Sequence, residues 1–139
     1  MKPKISPADY SEILSSLDLK TLFLKDIKAE YKEENLSQAL VLDIKEKYDF
    51  KQEGRNLDIS FKFLLKAKEN DKEGAAISIT ATYLVQYIQN NDITVTSDFM
   101  EVFHKMTLGM LLWPYFRELT SSTIYRMNLP PLVLPLRKI

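Results

Sequence analysis

From Leu57 to Ala67 the chain changes character at almost every residue. Leu57, Ile59, Phe61, Phe63, Leu65 and Ala67 fall on one side, and Asp58, Ser60, Lys62 and Lys66 on the other. A period of two over this length predicts a strand with one oily and one wet face. Ile77, Ile79, Ala81, Tyr83, Val85 and Tyr87 repeat the pattern against Ser78, Thr80, Thr82 and Gln86. Upstream, Leu40, Leu42, Ile44, Tyr48 and Phe50 alternate with Asp43, Lys45, Lys47 and Asp49. The earliest candidate strand, Leu19 to Tyr31, is two-faced. Phe23, Ile27, Ala29 and Tyr31 share a phase, with Leu22 and Leu24 on the second face. Glu53-Gly54-Arg55-Asn56 and Glu69 to Gly74 are turns, Gly54 being free to take positive φ. Strands in succession joined by short turns predict an antiparallel meander over residues 19–89.

The period then lengthens. Phe99, Val102, Phe103, Met106, Met110 and Trp113 lie at the spacing of one helix face, after Ser97 as an N-cap. From Met106 to Phe116 almost every position is bulky and apolar, so this part of the helix must be covered on all sides. Pro114 removes a helical hydrogen bond and predicts a kink or restart near Leu111 to Trp113. Asn128 can end the helix in a left-handed conformation. Pro130, Pro131 and Pro135 hold residues 128–139 extended, and Leu132, Val133, Leu134 and Leu136 make that tail apolar. A short helix over residues 7–17 opens the chain, with Tyr10, Ile13, Leu14 and Leu17 on one face. The expectation is one α+β domain spanning 1–139. It comprises the short helix, a four-stranded antiparallel meander, a long kinked helix over 97–127 and an extended tail. Four strands present a face roughly 19 Å wide, and one helix is about 10 Å across. Half the oily face is left for a partner or a bound guest.

Composition narrows the function. Net charge is zero, with 19 basic and 19 acidic residues, which argues against a basic nucleic-acid binder. Cysteine is absent and His104 is the single histidine, so neither a thiolate site nor a multi-histidine metal centre is expected. Gly54, Gly74 and Gly109 are isolated, so there is no phosphate-binding loop. No serine sits in a nucleophile motif with a histidine partner. The reading is a non-enzyme without cofactor. The run from Met106 to Phe116 is too short for a bilayer, which needs about 20 residues. The N-terminal residues lack the apolar core of a signal peptide, so a cytoplasmic protein without membrane insertion is expected.

Trp113-Pro114-Tyr115-Phe116-Arg117-Glu118, then Ser121-Ser122, then Met127 to Pro135, resembles the SecB protein-export chaperones. In that family an aromatic-Pro-Tyr-x-Arg-Glu helix runs into a Pro-x-Leu-x-Leu-x-Pro tail. Leu24 to Glu30 and Val41 to Ile44 are also similar. The resemblance implies a homo-oligomer, a dimer or dimer of dimers, with the helices sandwiched between sheets. It implies an ATP-independent holdase for non-native polypeptides, in export with a SecA-type motor or in protection of a labile antitoxin. The family usually carries a second helix after the tail, and a fold without it is expected for the sequence as it runs to Ile139. Asp26 and Glu30 match acidic positions of motor docking, whereas Thr80 stands where the family carries a further acid.

These implications assign residues. Leu36, Leu40, Leu42, Ile44, Leu132 and Leu134 would line a client groove; ordinary sheet core and tail packing are the competing readings. Phe103, Met106, Gly109, Met110 and Trp113 would meet another subunit. Arg117 and Glu118 would form a structural ion pair or stand in solvent. A carrier of a small apolar ligand, with an enclosed pocket between helix and sheet, is the alternative function.

Overall fold

A computed structural model describes residues 4–70 and 72–137. Helix α1, Pro7–Ser16, is capped by the Ser6 hydroxyl, which accepts from the Asp9 amide at 3.1 Å. It runs straight into strand β1, Leu17–Tyr31. Strands β2 (Leu40–Glu53), β3 (Asn56–Glu69) and β4 (Ile77–Gln89) follow. The turn between β2 and β3 uses Gly54 at φ 58°, the left-handed conformation expected of it.

All pairings are antiparallel, but the strand order is β1-β4-β3-β2. Only β2, β3 and β4 form a meander. The first strand lies beside the last, a Greek-key order read from the other end. Alternation says which face a residue takes, not which strand is its neighbour. The connection from Lys32 to Ala39 is long enough to cross the roughly 14 Å that separates β1 from β2.

The two-faced reading of β1 also changes. Its register against β4 slips between Leu19 and Thr21 and between Leu24 and Asp26. Each bulge inserts one residue, Lys20 and Lys25, and shifts the phase. Leu22, Leu24, Ile27, Ala29 and Tyr31 therefore share the inner face, opposite Val85, Tyr83, Ala81, Ile79 and Ile77. Phe23 turns outward beside Leu84.

The second half of the fold is one long helical run. Helix α2, Ser97–Phe103, is capped by Thr96 rather than Ser97, its hydroxyl accepting from Phe99 at 3.1 Å. A turn of π-helix, His104–Leu108, leads into α3, Gly109–Arg126. The irregularity is thus upstream of Pro114, and α3 passes through Leu111–Trp113 without a restart. Asn128 ends the run at φ 58°, as the sequence predicts.

The helix buries its inner side on β3 and β4. Phe63 is the centre, stacked on Phe116 with ring centroids 4.5 Å apart and lying 5.9 Å from Trp113. Phe99 joins α1 to this layer by stacking on Tyr10 at 4.9 Å. At this α1 end a polar knot closes the sheet. Gln52 donates to the Gln89 side chain at 2.8 Å and to the Ile93 carbonyl at 2.9 Å, and accepts from the Val95 amide at 2.8 Å. Gln89, itself buried, donates to Ser16 at 3.1 Å. This knot fixes the β4–α2 connection, and hence where the long helix begins.

Two outcomes follow from this packing. Gln52→Leu should cost about 1–3 kcal/mol in urea unfolding, because the Val95 amide and the Gln89 carbonyl oxygen lose their partner. Burial pushes the hydroxyls of Tyr83 and Tyr87 from 10.0 up to about 12, with the Glu118 charge adding to the shift of Tyr83. The unfolded chain then sheds these protons first, so stability is whole below about pH 10 and falls as pH rises towards about 12. Circular dichroism and the phenolate absorbance of Tyr83 and Tyr87, isolated by difference against Tyr83→Phe and Tyr87→Phe, should change together in that window; ionisation of these two without unfolding would contradict it.

Candidate functional site

The sheet is wider than its helix, and the uncovered parts lie at both edges. On β1, Leu19, Leu24, Ile27 and Tyr31 face the same side as the core yet remain exposed, Ile27 by 42%. On the β2 side the tail supplies partial cover, and between tail and sheet lies an open groove of about 450 Å³. Leu36, Leu40 and Leu42 form one wall, Ala67 and Ile77 the floor, and Ile124 with Leu129 to Leu132 the other wall. The lining is almost wholly apolar apart from Ser37 and Gln38.

Local chemistry builds each wall. Past Asn128, the Leu129 amide reaches back to the Ile124 carbonyl at 3.4 Å and Asn128 to that of Tyr125 at 3.0 Å. This helix stop brings Leu129 against Ile124, the apolar contact that usually accompanies it. Pro130 and Pro131 cannot donate, so the backbone stays extended and presents Leu132 to the groove. Beyond it the tail is fastened. Leu134 is fully buried, Arg117 Nε donates to its carbonyl at 2.6 Å, and Trp113 Nε1 donates to the Pro135 carbonyl at 2.9 Å. Arg137 forms an ion pair with Glu46 of β2 and lies against the backbone of Gly109, where any side chain would collide with it.

Leu36, Leu40, Leu42 and Leu132 are therefore brought together at one groove. Ile44 is half-buried further along β2 and does not line it. Leu134 is a correction: it is the anchor of the tail, not a groove wall. Three of the five residues assigned to a subunit interface are corrected too. All three are buried within the one chain: Phe103 against Tyr87 of β4, and Gly109 and Trp113 beneath Arg137 and Pro135 of the tail. Met110 is half-buried, and Met106 is exposed. Arg117 holds the tail instead of pairing with Glu118. Asp26 and Glu30 lie on the outer face of β1 with Lys28 between them, and Glu30 sits 3.6 Å from Lys32.

The sequence reading missed Glu46 and the pair Gln52 and Gln89. All three occupy the apolar phase of their strands, a signal that each has a buried partner to find. His104, in the π-turn, stacks on Tyr48 at 4.3 Å, and its Nδ1 lies 2.8 Å from the Met100 carbonyl. No group of three or more potential metal ligands occurs among the described residues. No helix there is long and apolar enough to cross a membrane.

Among solved structures, the SecB-like chaperone Rv1957 of Mycobacterium tuberculosis, determined with a ChAD peptide from the HigA1 antitoxin, superposes with a TM-score of 0.76. The match covers 93% of this chain and 96% of that one, at 15% identity. The chain has the SecB-like fold. A protein of unknown function from Streptococcus agalactiae overlaps more loosely, with a TM-score of 0.43 at 15% identity, over 86% of this chain and 97% of that one. No family model and no curated protein matches the sequence.

The tail's fastening is testable with the single tryptophan. Leu134→Ala should cost about 2–4 kcal/mol, and should shift Trp113 emission to the red before the main urea transition. An unshifted spectrum with unchanged stability would mean the tail is not held there.

Proposed function

We propose that the chain is an ATP-independent holdase that takes extended apolar segments of non-native polypeptides into the groove between β2 and the tail. The observation that carries this reading is the groove itself: open to solvent, apolar on both walls, and built on a fold that a SecB-like chaperone shares. Its mechanism is burial of guest side chains, worth about 25 cal/mol per Å² of apolar surface removed from water. Such burial is non-directional, so selectivity is broad. The openness also weighs against the carrier of a small ligand, which needs an enclosed cavity.

Of the two settings considered, protection of an antitoxin has the better support, because the M. tuberculosis neighbour was solved with an antitoxin peptide. Docking of a SecA-type motor has less, since Lys28 interrupts Asp26 and Glu30 on the same strand face. The bare inner face of β1 is the surface we assign to a second copy of the chain, in a dimer or dimer of dimers within the cytoplasm.

Leu42 is exposed enough to be replaced without opening the core. Leu42→Ser should leave a single cooperative unfolding transition and weaken binding of an unfolded apolar polypeptide about three- to tenfold, equivalent to roughly 1 kcal/mol of contact. Suppression of light scattering from a denatured protein, without ATP, is the measurement. Equal protection by wild type and variant would remove Leu42 from the site. No protection by the wild type would remove the function.

A further inference from the structure

The sheet's outer face carries a second feature, independent of the groove. Leu64 of β3 is half-buried at its centre, with lysines along its own strand and on the β2 side and Thr80 on the β4 side. Lys62 and Lys66 are its neighbours along the strand, Lys45 lies directly across on β2, and Lys47 lies diagonally. All four lysines are exposed, and none has a carboxylate within salt-bridge distance among the described residues. Lys47 stands directly opposite Lys62, a like-charge cross-strand pair that costs stability. Two acids adjoin this cluster in the register, Asp43 opposite Lys66 and Asp49 next to Lys47 and diagonal to Lys62, against four lysines.

Protection of the sheet edge does not account for this. Lysines on an edge strand block pairing with other chains, which would explain Lys45 and Lys47 on β2. It does not explain Lys62 and Lys66 on β3, an inner strand. On the other edge, Asp26, Lys28 and Glu30 of β1 alternate in sign, so clustering is not the rule for this face. Beside Lys62, the Thr82 hydroxyl is buried on the same side without a hydrogen-bond partner among the described residues. Leu64 and, two strand positions along, Leu84 and Phe23 add apolar spots to the cationic ones.

We infer that this outer face is a docking surface for an acidic polypeptide segment with interspersed apolar residues, bound by Lys45, Lys47, Lys62 and Lys66 around Leu64. An extended strand repeats its side chains about every 6.8 Å, the same period as Lys62, Leu64 and Lys66 along β3. A polyanion such as single-stranded nucleic acid is the poorer fit: the chain is neutral overall, and among the described residues Phe23 alone of the strand aromatics is offered on this face for stacking.

The test uses the full chain and a fluorescent peptide alternating Glu and Leu. Binding should be seen by anisotropy and should weaken as salt rises, since exposed charges are screened within about 10 Å at 0.1 M. Lys47→Glu and Lys62→Glu, made singly, should each weaken it about fivefold or more. Each also sets opposite charges across the strand pair, so the melting temperature should stay level or rise. A purely structural role cannot give weaker binding with equal or higher stability. Lys25→Glu, in the β1 bulge, should change neither. The inference is overturned by no binding, by undiminished binding in both variants, by a lowered melting temperature in both, or by tighter binding of oligothymidylate than of the peptide. It is also overturned if Leu42→Ser abolishes the binding, which would put the peptide in the groove.

Discussion

A sheet of four strands offers an oily face roughly 19 Å across, and one helix covers about 10 Å of it. Everything else in this fold responds to that inequality. The long helix lies over the inner strands, where Phe63, Trp113 and Phe116 interlock and residues of β3 and β4 lose all contact with water. The edges are treated differently. On the β2 side the chain returns as an extended tail and closes most of the gap. On the β1 side it leaves the gap open.

The tail shows how a segment without regular structure can still be specified. Over the described residues 130–137 it has no sheet partners and no helical bonds, so its backbone needs others. Trp113 and Arg117 supply two donors from the same helix, and Leu134 supplies the apolar anchor. Arg137 then meets Glu46, the one charged group on the inner face of β2. The groove is what remains between this strap and the start of β2. Its shape follows from where the strap is tied, which links folding energetics directly to the proposed holdase.

Much of this was legible in the sequence where a single physical rule governs. Alternation located β3 and β4, and Gly54 and Asn128 took the left-handed conformations expected of them. The four groove leucines were found through a family resemblance that the backbone course supports. The failures have separate causes. Bulges at Lys20 and Lys25 reset the phase of β1, so a strict two-residue count assigned its faces wrongly. Strand order is a tertiary choice that alternation does not encode. Helix periodicity does not show that the tail returns over Trp113 and Gly109, nor that Tyr87 of β4 covers Phe103. Glu46, Gln52 and Gln89 were visible as polar residues in apolar phase, but their partners lie far along the chain.

The Greek-key order has a kinetic corollary. β2, β3 and β4 are joined by short turns and can zip from local hairpins, whereas Tyr31 of β1 waits for Ile77 of β4 across the whole meander. Closing that long loop is the costly step. During synthesis the earliest strand to emerge is therefore the last to find its place. Until then its row of leucines is itself an unfolded, sticky segment, chemically the same kind of object that the finished groove is built to hold.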